Sequence, residues 1–241
     1  MPEVIKFVLL LIGAYLLGSV PSAYLVAKWR RGIDIRQYGS GNVGASNILA
    51  TVSKRWAIPV TVFDIGKGAL TVGVAQLLFP DIPAYQITVG IVTIIGHNWP
   101  VFLKFRGGRG IYTSLGVITM ISPKLGLIML VLSHTLAPIR QLAVGVFIAL
   151  VSLPIFSWFL WQPLDIEARL PITLGLIALA GVGLIRRLTA PKTSLSKSVP
   201  LGQLFVNRLF FDRDIRDRHA WTRRTPSKTS SAERRKKARE G

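Results

Sequence analysis

Apolar positions in this chain fall into long runs broken by short polar segments, and the runs are too continuous for the one-sided stripe of a surface helix. The pattern predicts helices over residues 4–28, 57–79, 84–103, 109–120, 123–137, 140–161 and 170–187. Most of these reach the roughly 20 residues that a bilayer core requires. Ser122-Pro123 divides what would otherwise be one overlong helix from 109 to 137. The expectation is an all-α integral membrane protein of seven transmembrane helices. With 50% hydrophobic residues and a mean hydropathy of +0.46, composition points the same way and excludes an ordinary soluble domain. The first run is long, its basic cluster lies after it and no small-residue cleavage site follows, so it reads as a span and not as a removed secretory signal.

Charge then orients the spans. Residues 28–55 carry six basic side chains against Asp34 alone, residues 104–109 carry three and no acid, and the stretch from Arg186 onward carries sixteen against five acids. The alternate loops, 80–83 and 162–169, hold three acids and one Arg. The positive-inside rule places the N-terminus outside and the C-terminus inside, as an odd number of spans requires. The stretch from Arg186 supplies +11 of the net +19, so most of the basicity is a juxtamembrane appendage. Domain limits follow: a membrane domain over 1–188 and a basic cytoplasmic tail over 189–241. Within the tail, Leu201, Leu204, Phe205, Leu209 and Phe210 recur at helical spacing, which predicts an interfacial helix over about 200–218, with disorder from about Thr222. Its expected partner is the anionic inner leaflet; nucleic acid is set aside because the chain is addressed to a membrane.

There are no cysteines and only three widely spaced histidines, which removes disulfide and thiolate chemistry and predicts no metal site and no cofactor.

Candidate chemistry gathers on the basic side. The run 39–47, GSGNVGASN, matches G-x-G-x-x-G, but a membrane helix precedes it and no βαβ unit surrounds it, so a dinucleotide site is excluded. What remains is local: Gly39, Gly41 and Gly44 let backbone amides turn toward an anion, and Ser40, Asn42, Ser46 and Asn47 add side-chain donors. A plain Gly/Asn/Ser turn is the competing reading. A second loop, Lys104-Phe105-Arg106-Gly107-Gly108-Arg109-Gly110, joins cations to the N-terminus of a helix. Between them, Asp64 and Lys67 sit three residues apart in an apolar span, on one helix face and roughly 15 Å deep at a rise of about 1.5 Å per residue. Intramembrane charge of this kind marks a buried ion pair or a substrate site. Two such loops with Lys67 below them predict a membrane-surface pocket for a phosphorylated substrate.

Four segments in order, GSVPSAYLVAK at 18–28, GIDIRQYGSGNVGASN at 32–47, DIGKG at 64–68 and GHNWPVFLKFRGGRG at 96–110, resemble the bacterial acyl-phosphate:glycerol-3-phosphate acyltransferases of the PlsY type. The likeness is strong to about Gly116 and continues in the hydropathy pattern to Arg187. It implies a seven-helix enzyme of the cell (inner) membrane, multi-pass with its active face cytoplasmic, moving a fatty acyl group from acyl phosphate to the 1-hydroxyl of glycerol 3-phosphate to give lysophosphatidic acid. Asn42, Asn47, Asp64, Lys67, His97, Gly107, Gly108 and Gly110 match its motifs, while Arg106 and Arg109 stand where it has lysines. Other positions depart: Ala50 stands where the family has Arg, Gln141 where it has Ser, and residues 181–185, GVGLI, replace its His-Arg-x-Asn-Ile.

Acyl phosphate is a mixed anhydride with a good leaving group, so direct attack by the glycerol hydroxyl needs positioning and charge stabilisation but no acyl-enzyme. The predicted catalytic residues are His97 and Lys67, with His97 or a substrate phosphate oxygen taking the hydroxyl proton. The predicted substrate contacts are Ser40, Gly41, Asn42, Gly44, Asn47, Asp64, Arg106, Gly107, Gly108, Arg109 and Gly110. Two alternatives stay open: a catalytically degenerate homologue that binds a phosphorylated lipid or an enzyme partner, and a transporter, for which no inverted halves are apparent.

Overall fold

The computed structural model of the chain describes residues 2–193 and 195–225. It is all-helical, with α1 (Glu3–Ser19), α2 (Ser22–Arg31), α3 (Ala45–Thr51), α4 (Lys54–Leu78), α5 (Pro83–Asn98), α6 (Ile111–Ile121), α7 (Pro123–Thr135), α8 (Leu142–Phe159), α9 (Arg169–Leu188), α10 (Leu201–Phe211) and α11 (Arg218–Thr222). Among the described residues, five stretches are long and apolar enough to cross a membrane: Glu3–Arg31, Lys54–Leu78, Pro83–Leu103, Leu142–Phe159 and Arg169–Leu188. At 11 and 13 residues, α6 and α7 are shorter, about 16 and 20 Å at the helical rise.

The expected single helix over 4–28 is two. Pro21 has no N–H to donate and its ring blocks helical continuation, so α1 ends at Ser19 and α2 restarts at Ser22. The apolar run concealed this break, which bares carbonyls that the site goes on to use.

The bundle packs α4 on α6, α1 on α5, α7 on α8 and α8 on α9. Its main core joins Val72, Ile94, Val117, Leu125, Leu150 and Leu176, all essentially inaccessible. Large apolar side chains also face outward, among them Ile58, Val62, Leu70 and Leu77 on α4 and Leu170, Leu174 and Ile177 on α9. In water that would be an aggregation surface; against lipid tails it is the matching solvent. Since lipid gives helices no hydrophobic reason to associate, small residues supply close packing. A Cβ on Gly68 would strike the Thr113 backbone, and one on Gly116 would strike the Ile65 carbonyl, so α4 and α6 touch backbone to backbone.

Helix ends sort into two groups. At one end Phe7 stacks on Tyr85 with ring centroids 3.9 Å apart, and the Ser122 hydroxyl at the α6–α7 turn donates to the Leu164 carbonyl at 3.0 Å. At the other end lie the 32–44 segment, the 99–110 loop, the 136–141 turn and α10–α11. The tail helix expected over 200–218 stops at Phe211, because Asp212 takes a left-handed conformation (φ 51°) and turns the chain. Leu204, Asn207 and Arg208 of α10 are buried, and α10 packs on α8 and α9. Of the stretch expected to be disordered, residues 226–241 lie outside the described residues.

Candidate functional site

Asp64 and Lys67 occupy adjacent turns of α4, and both are buried. Lys67 Nζ lies 2.9 Å from Asp64 Oδ1, 2.8 Å from His97 Nδ1 and 3.2 Å from the Gly18 carbonyl. It also reaches the Val20 carbonyl at 3.4 Å. The break at Pro21 makes this possible: Ser22 N–H turns to Val20, so the Gly18 carbonyl is left without its helical partner and accepts the ammonium instead. The Ser22 hydroxyl donates to Asp64 Oδ1 at 3.0 Å, while Thr113 Oγ1 stands 3.4 Å from His97 Nδ1. An ammonium has donors only, so Nδ1 of His97 accepts and the neutral ring carries its proton on Nε2. Gly108 lies against that edge of the ring, where a Cβ would collide with His97 Nε2.

The glycine loop is ordered from within. Asn47, fully buried, accepts the Ser40 N–H with Oδ1 at 3.2 Å and donates through Nδ2 to the carbonyls of Tyr38 and Asn42, both at 3.0 Å. Gly41 N–H donates to Tyr38 O and Asn42 N–H to Ser40 Oγ, so these loop amides are spent inside the loop. In the second loop Gly107 N–H donates to Asn98 O at 3.2 Å and Gly108 N–H to His97 O at 3.1 Å. The first-turn amides that no helix satisfies internally belong instead to Gly44, Ala45 and Ser46 at α3 and to Gly110, Ile111 and Tyr112 at α6. All six residues line one cavity of about 360 Å³. Two helix N-termini, each with partial positive charge, thus meet at one space.

Of the residues expected from sequence, Ser40, Asn42, Gly44, Asn47, Asp64, His97, Arg109 and Gly110 line that cavity. Gly41, Arg106 and Gly107 line a neighbouring one of about 640 Å³, which shares Ser40, Asn42 and Arg109 with the first. Lys67 and Gly108 line neither; Lys67 meets the Nδ1 edge of His97 and Gly108 the Nε2 edge. Two of the departures noted in the sequence, Ala50 and Gln141, line the first cavity. Ile111, Leu142 and Val146 give that cavity an apolar wall.

Three features escaped sequence reading. Arg186, counted there among the tail charges, is buried and donates to the carbonyls of Gly108 at 2.9 Å and Gly107 at 2.8 Å, which holds the second loop. Asn98 is fully buried beside Gly110, and among the described residues neither of its side-chain polar atoms has a partner. The tail reaches the site: Asp212 pairs with Arg109 at 2.6 Å, and Phe211, Arg213, Arg218 and Trp221 line the cavity.

A profile of the glycerol-3-phosphate acyltransferases matches residues 8–190. The chain belongs to this family. Glycerol-3-phosphate acyltransferase 4 of Dehalococcoides mccartyi strain CBDB1 is 44% identical over 218 residues, covering 90% of this chain and 94% of that one. A glycerol-3-phosphate acyltransferase of Thermoanaerobacter sp. strain X514 is 41% identical over 160 residues, covering 66% and 80%. The crystal structure of PlsY (YgiH), an integral membrane glycerol 3-phosphate acyltransferase, in its glycerol 3-phosphate form superposes with a TM-score of 0.68 at 28% identity, over 76% of this chain and 88% of that one. Its lysophosphatidic acid form gives 0.67 over the same shares. The acyltransferase resemblance read from four motifs therefore holds across residues 8–190. As a family member the chain is a membrane-embedded, multi-pass PlsY-type glycerol-3-phosphate acyltransferase that makes lysophosphatidic acid.

Proposed function

We propose that the acyl donor is an acyl phosphate and that transfer to the 1-hydroxyl of glycerol 3-phosphate takes place in the cavity shared by the N-termini of α3 and α6. The observation that carries this reading is the convergence of those two N-termini with Arg109, Ser40, Asn42 and His97 on a space that also has an apolar wall. Arg109 and the first-turn amides of Gly44 to Ser46 and Gly110 to Tyr112 hold phosphoryl oxygens. Ser40 and Asn42 orient the acceptor, and Arg106 with the loop at Gly41 and Gly107 receives polar substrate from the adjoining cavity.

The hydroxyl oxygen bonds to the acyl carbonyl carbon as the bond from that carbon to the phosphate oxygen breaks. Phosphate leaves with the electron pair, and the hydroxyl proton passes to a phosphate oxygen. His97, its Nδ1 already occupied by Lys67, acts as an Nε2–H donor to developing negative charge and not as the base. Lys67 and Asp64 fix that ring and its tautomer, and Asn47 fixes the loop.

We further infer seven passes, with α6 and α7 forming a short pair, an outside N-terminus, an inside C-terminus and a cytoplasmic site in the cell membrane. Supporting this, the basic segments gather at the cavity end of the bundle while Asp81, Asp165 and Glu167 belong to the opposite loops. Beyond residue 188 the tail docks on the anionic leaflet through the exposed Leu201 and Phe205 of α10. A donor comparison tests the reaction: the purified protein should acylate glycerol 3-phosphate from palmitoyl phosphate and not from palmitoyl-coenzyme A. Equal use of the thioester would refute the donor assignment.

A further inference from the structure

The segment after α10 is clamped at both sides of Arg213. Asp212 pairs with Arg109 at 2.6 Å, and Asp214 pairs with Arg208 at 2.7 Å, both of the latter side chains being buried. Asn207 Nδ2 adds a 3.0 Å bond to the Asp214 carbonyl. Between these anchors, Arg213 lines the 360 Å³ cavity together with Arg218 of α11.

Charge in this cavity is unbalanced. Arg109, Arg140, Arg187, Arg213 and Arg218 line it, against the carboxylates of Asp64 and Asp212. Asp64 is committed to Lys67 and Asp212 to Arg109. Arg187 donates to the carbonyls of Leu209 and Ala143, at 2.8 and 2.9 Å. Among the described residues, Arg213 and Arg218 form no ion pair, and Arg213 Nε is a buried donor without an acceptor. Burial first, and then the positive charge of Arg218, hold the Arg213 pKa below the ordinary guanidinium value, with Asp217 opposing. A half-buried cation held beside another cation, with one donor orphaned, is an arrangement that an anion with several acceptor oxygens relieves.

We propose that Arg213 and Arg218 bind the terminal phosphate group of a substrate, so that the tail is a working wall of the acyl-transfer site. This rests on the reading of that cavity as the transfer site, and both substrates carry the group: glycerol 3-phosphate and acyl phosphate. The placement explains why the tail folds back over the loops when its basic composition alone would let it lie free. Neither residue falls within the 8–190 segment matched by the family profile.

The test uses purified full-length protein and the variants R213Q, R218Q and R213K, with R216Q as a control because Arg216 is exposed and lines neither cavity. Two quantities are read: KM for glycerol 3-phosphate and for palmitoyl phosphate, and the rise in thermal midpoint caused by glycerol 3-phosphate, by palmitoyl phosphate or by inorganic phosphate. The expected result is a KM about tenfold or more higher for one of the two substrates in R213Q and R218Q, a matching loss of ligand-induced stabilisation, partial recovery in R213K and no change in R216Q. Which KM moves identifies which phosphate the arginines hold. Arg218 is exposed, so R218Q keeps the test open even where R213Q fails to fold. Unchanged KM values and stabilisation in R218Q and in R213Q or R213K overturn the proposal while leaving the acyl-transfer reading in place. A wild-type protein that phosphate compounds stabilise through Arg213 and Arg218, but that turns over neither donor, keeps the subsite and overturns the reaction. A wild-type protein with neither response overturns both.

Discussion

Gly39 and Arg224, 185 residues apart in sequence, exchange two hydrogen bonds: Gly39 N–H donates to the Arg224 carbonyl at 2.9 Å, and Arg224 Nε donates to the Gly39 carbonyl at 2.9 Å. The glycine loop and the tail are therefore a single structural unit at the mouth of the site. Trp221, buried and lining both cavities, is part of the same closure and carries the Arg224 guanidinium 3.8 Å from its ring centre.

That unit predicts coupled protection. In hydrogen exchange, the amide of Gly39 should be slow in the full chain and exchange at least tenfold faster when the chain is cut after Phe211, because its acceptor is then gone. Equal rates in both forms would separate the tail from the loop.

For the buried pair, Lys67→Met leaves the Asp64 carboxylate buried without its ammonium, with the Ser22 hydroxyl at 3.0 Å and His97 Nδ1 at 3.7 Å as its remaining neighbours. The expected cost is about 3–5 kcal/mol, read as a large fall in the thermal midpoint in detergent. Adding Asp64→Leu should recover most of that stability but not activity, since His97 loses the donor that sets its tautomer. A stable, active Lys67→Met protein would contradict the positioning role.

Close packing gives a third prediction. Gly108→Ala drives a methyl group into the His97 ring, which lines the cavity, and into the Val43 carbonyl. The expected outcome is a kcat lower by at least about tenfold, with stability reduced by about 1–3 kcal/mol. Gly181→Ala, at a helical position with open space around it, should leave both unchanged.

Much of this was legible in the sequence because lipid is an undemanding solvent: apolar runs of membrane length had to become helices, and the spacing of Asp64 and Lys67 put them on one face. Of the residues named from the four motifs, eight line one cavity. The first helix misled because Pro21 sits within a long, mainly apolar run, and hydropathy does not register a missing N–H. The glycine loop was expected to turn its amides toward an anion, but the amides of Ser40, Gly41 and Asn42 bond to Asn47, Tyr38 and Ser40, and such short-range choices depend on dihedral angles that composition does not encode. Arg186, Arg187 and Arg208 were hardest to read. Their guanidiniums satisfy backbone carbonyls of Gly107, Ala143, Leu188 and Leu209, most of them far away in sequence, whereas a run of charges ordinarily means a solvated surface.

Arg109→Lys tests the junction of tail and loop. Lysine keeps the charge but loses the fork that lets Arg109 bond Asp212 through Nε and reach the Arg186 carbonyl through a terminal nitrogen at 3.3 Å. Activity should fall by about tenfold or more while the protein stays folded, and Arg109→Gln should fall further. Full activity in Arg109→Gln would remove Arg109 from phosphate binding.

The most direct measurement follows both products of the purified full-length chain given palmitoyl phosphate and glycerol 3-phosphate. The account predicts lysophosphatidic acid and inorganic phosphate released in equal amounts, with no acyl-enzyme trapped and none formed when glycerol 3-phosphate is withheld. Phosphate release without lysophosphatidic acid, or no turnover by a folded protein that binds glycerol 3-phosphate, would contradict it.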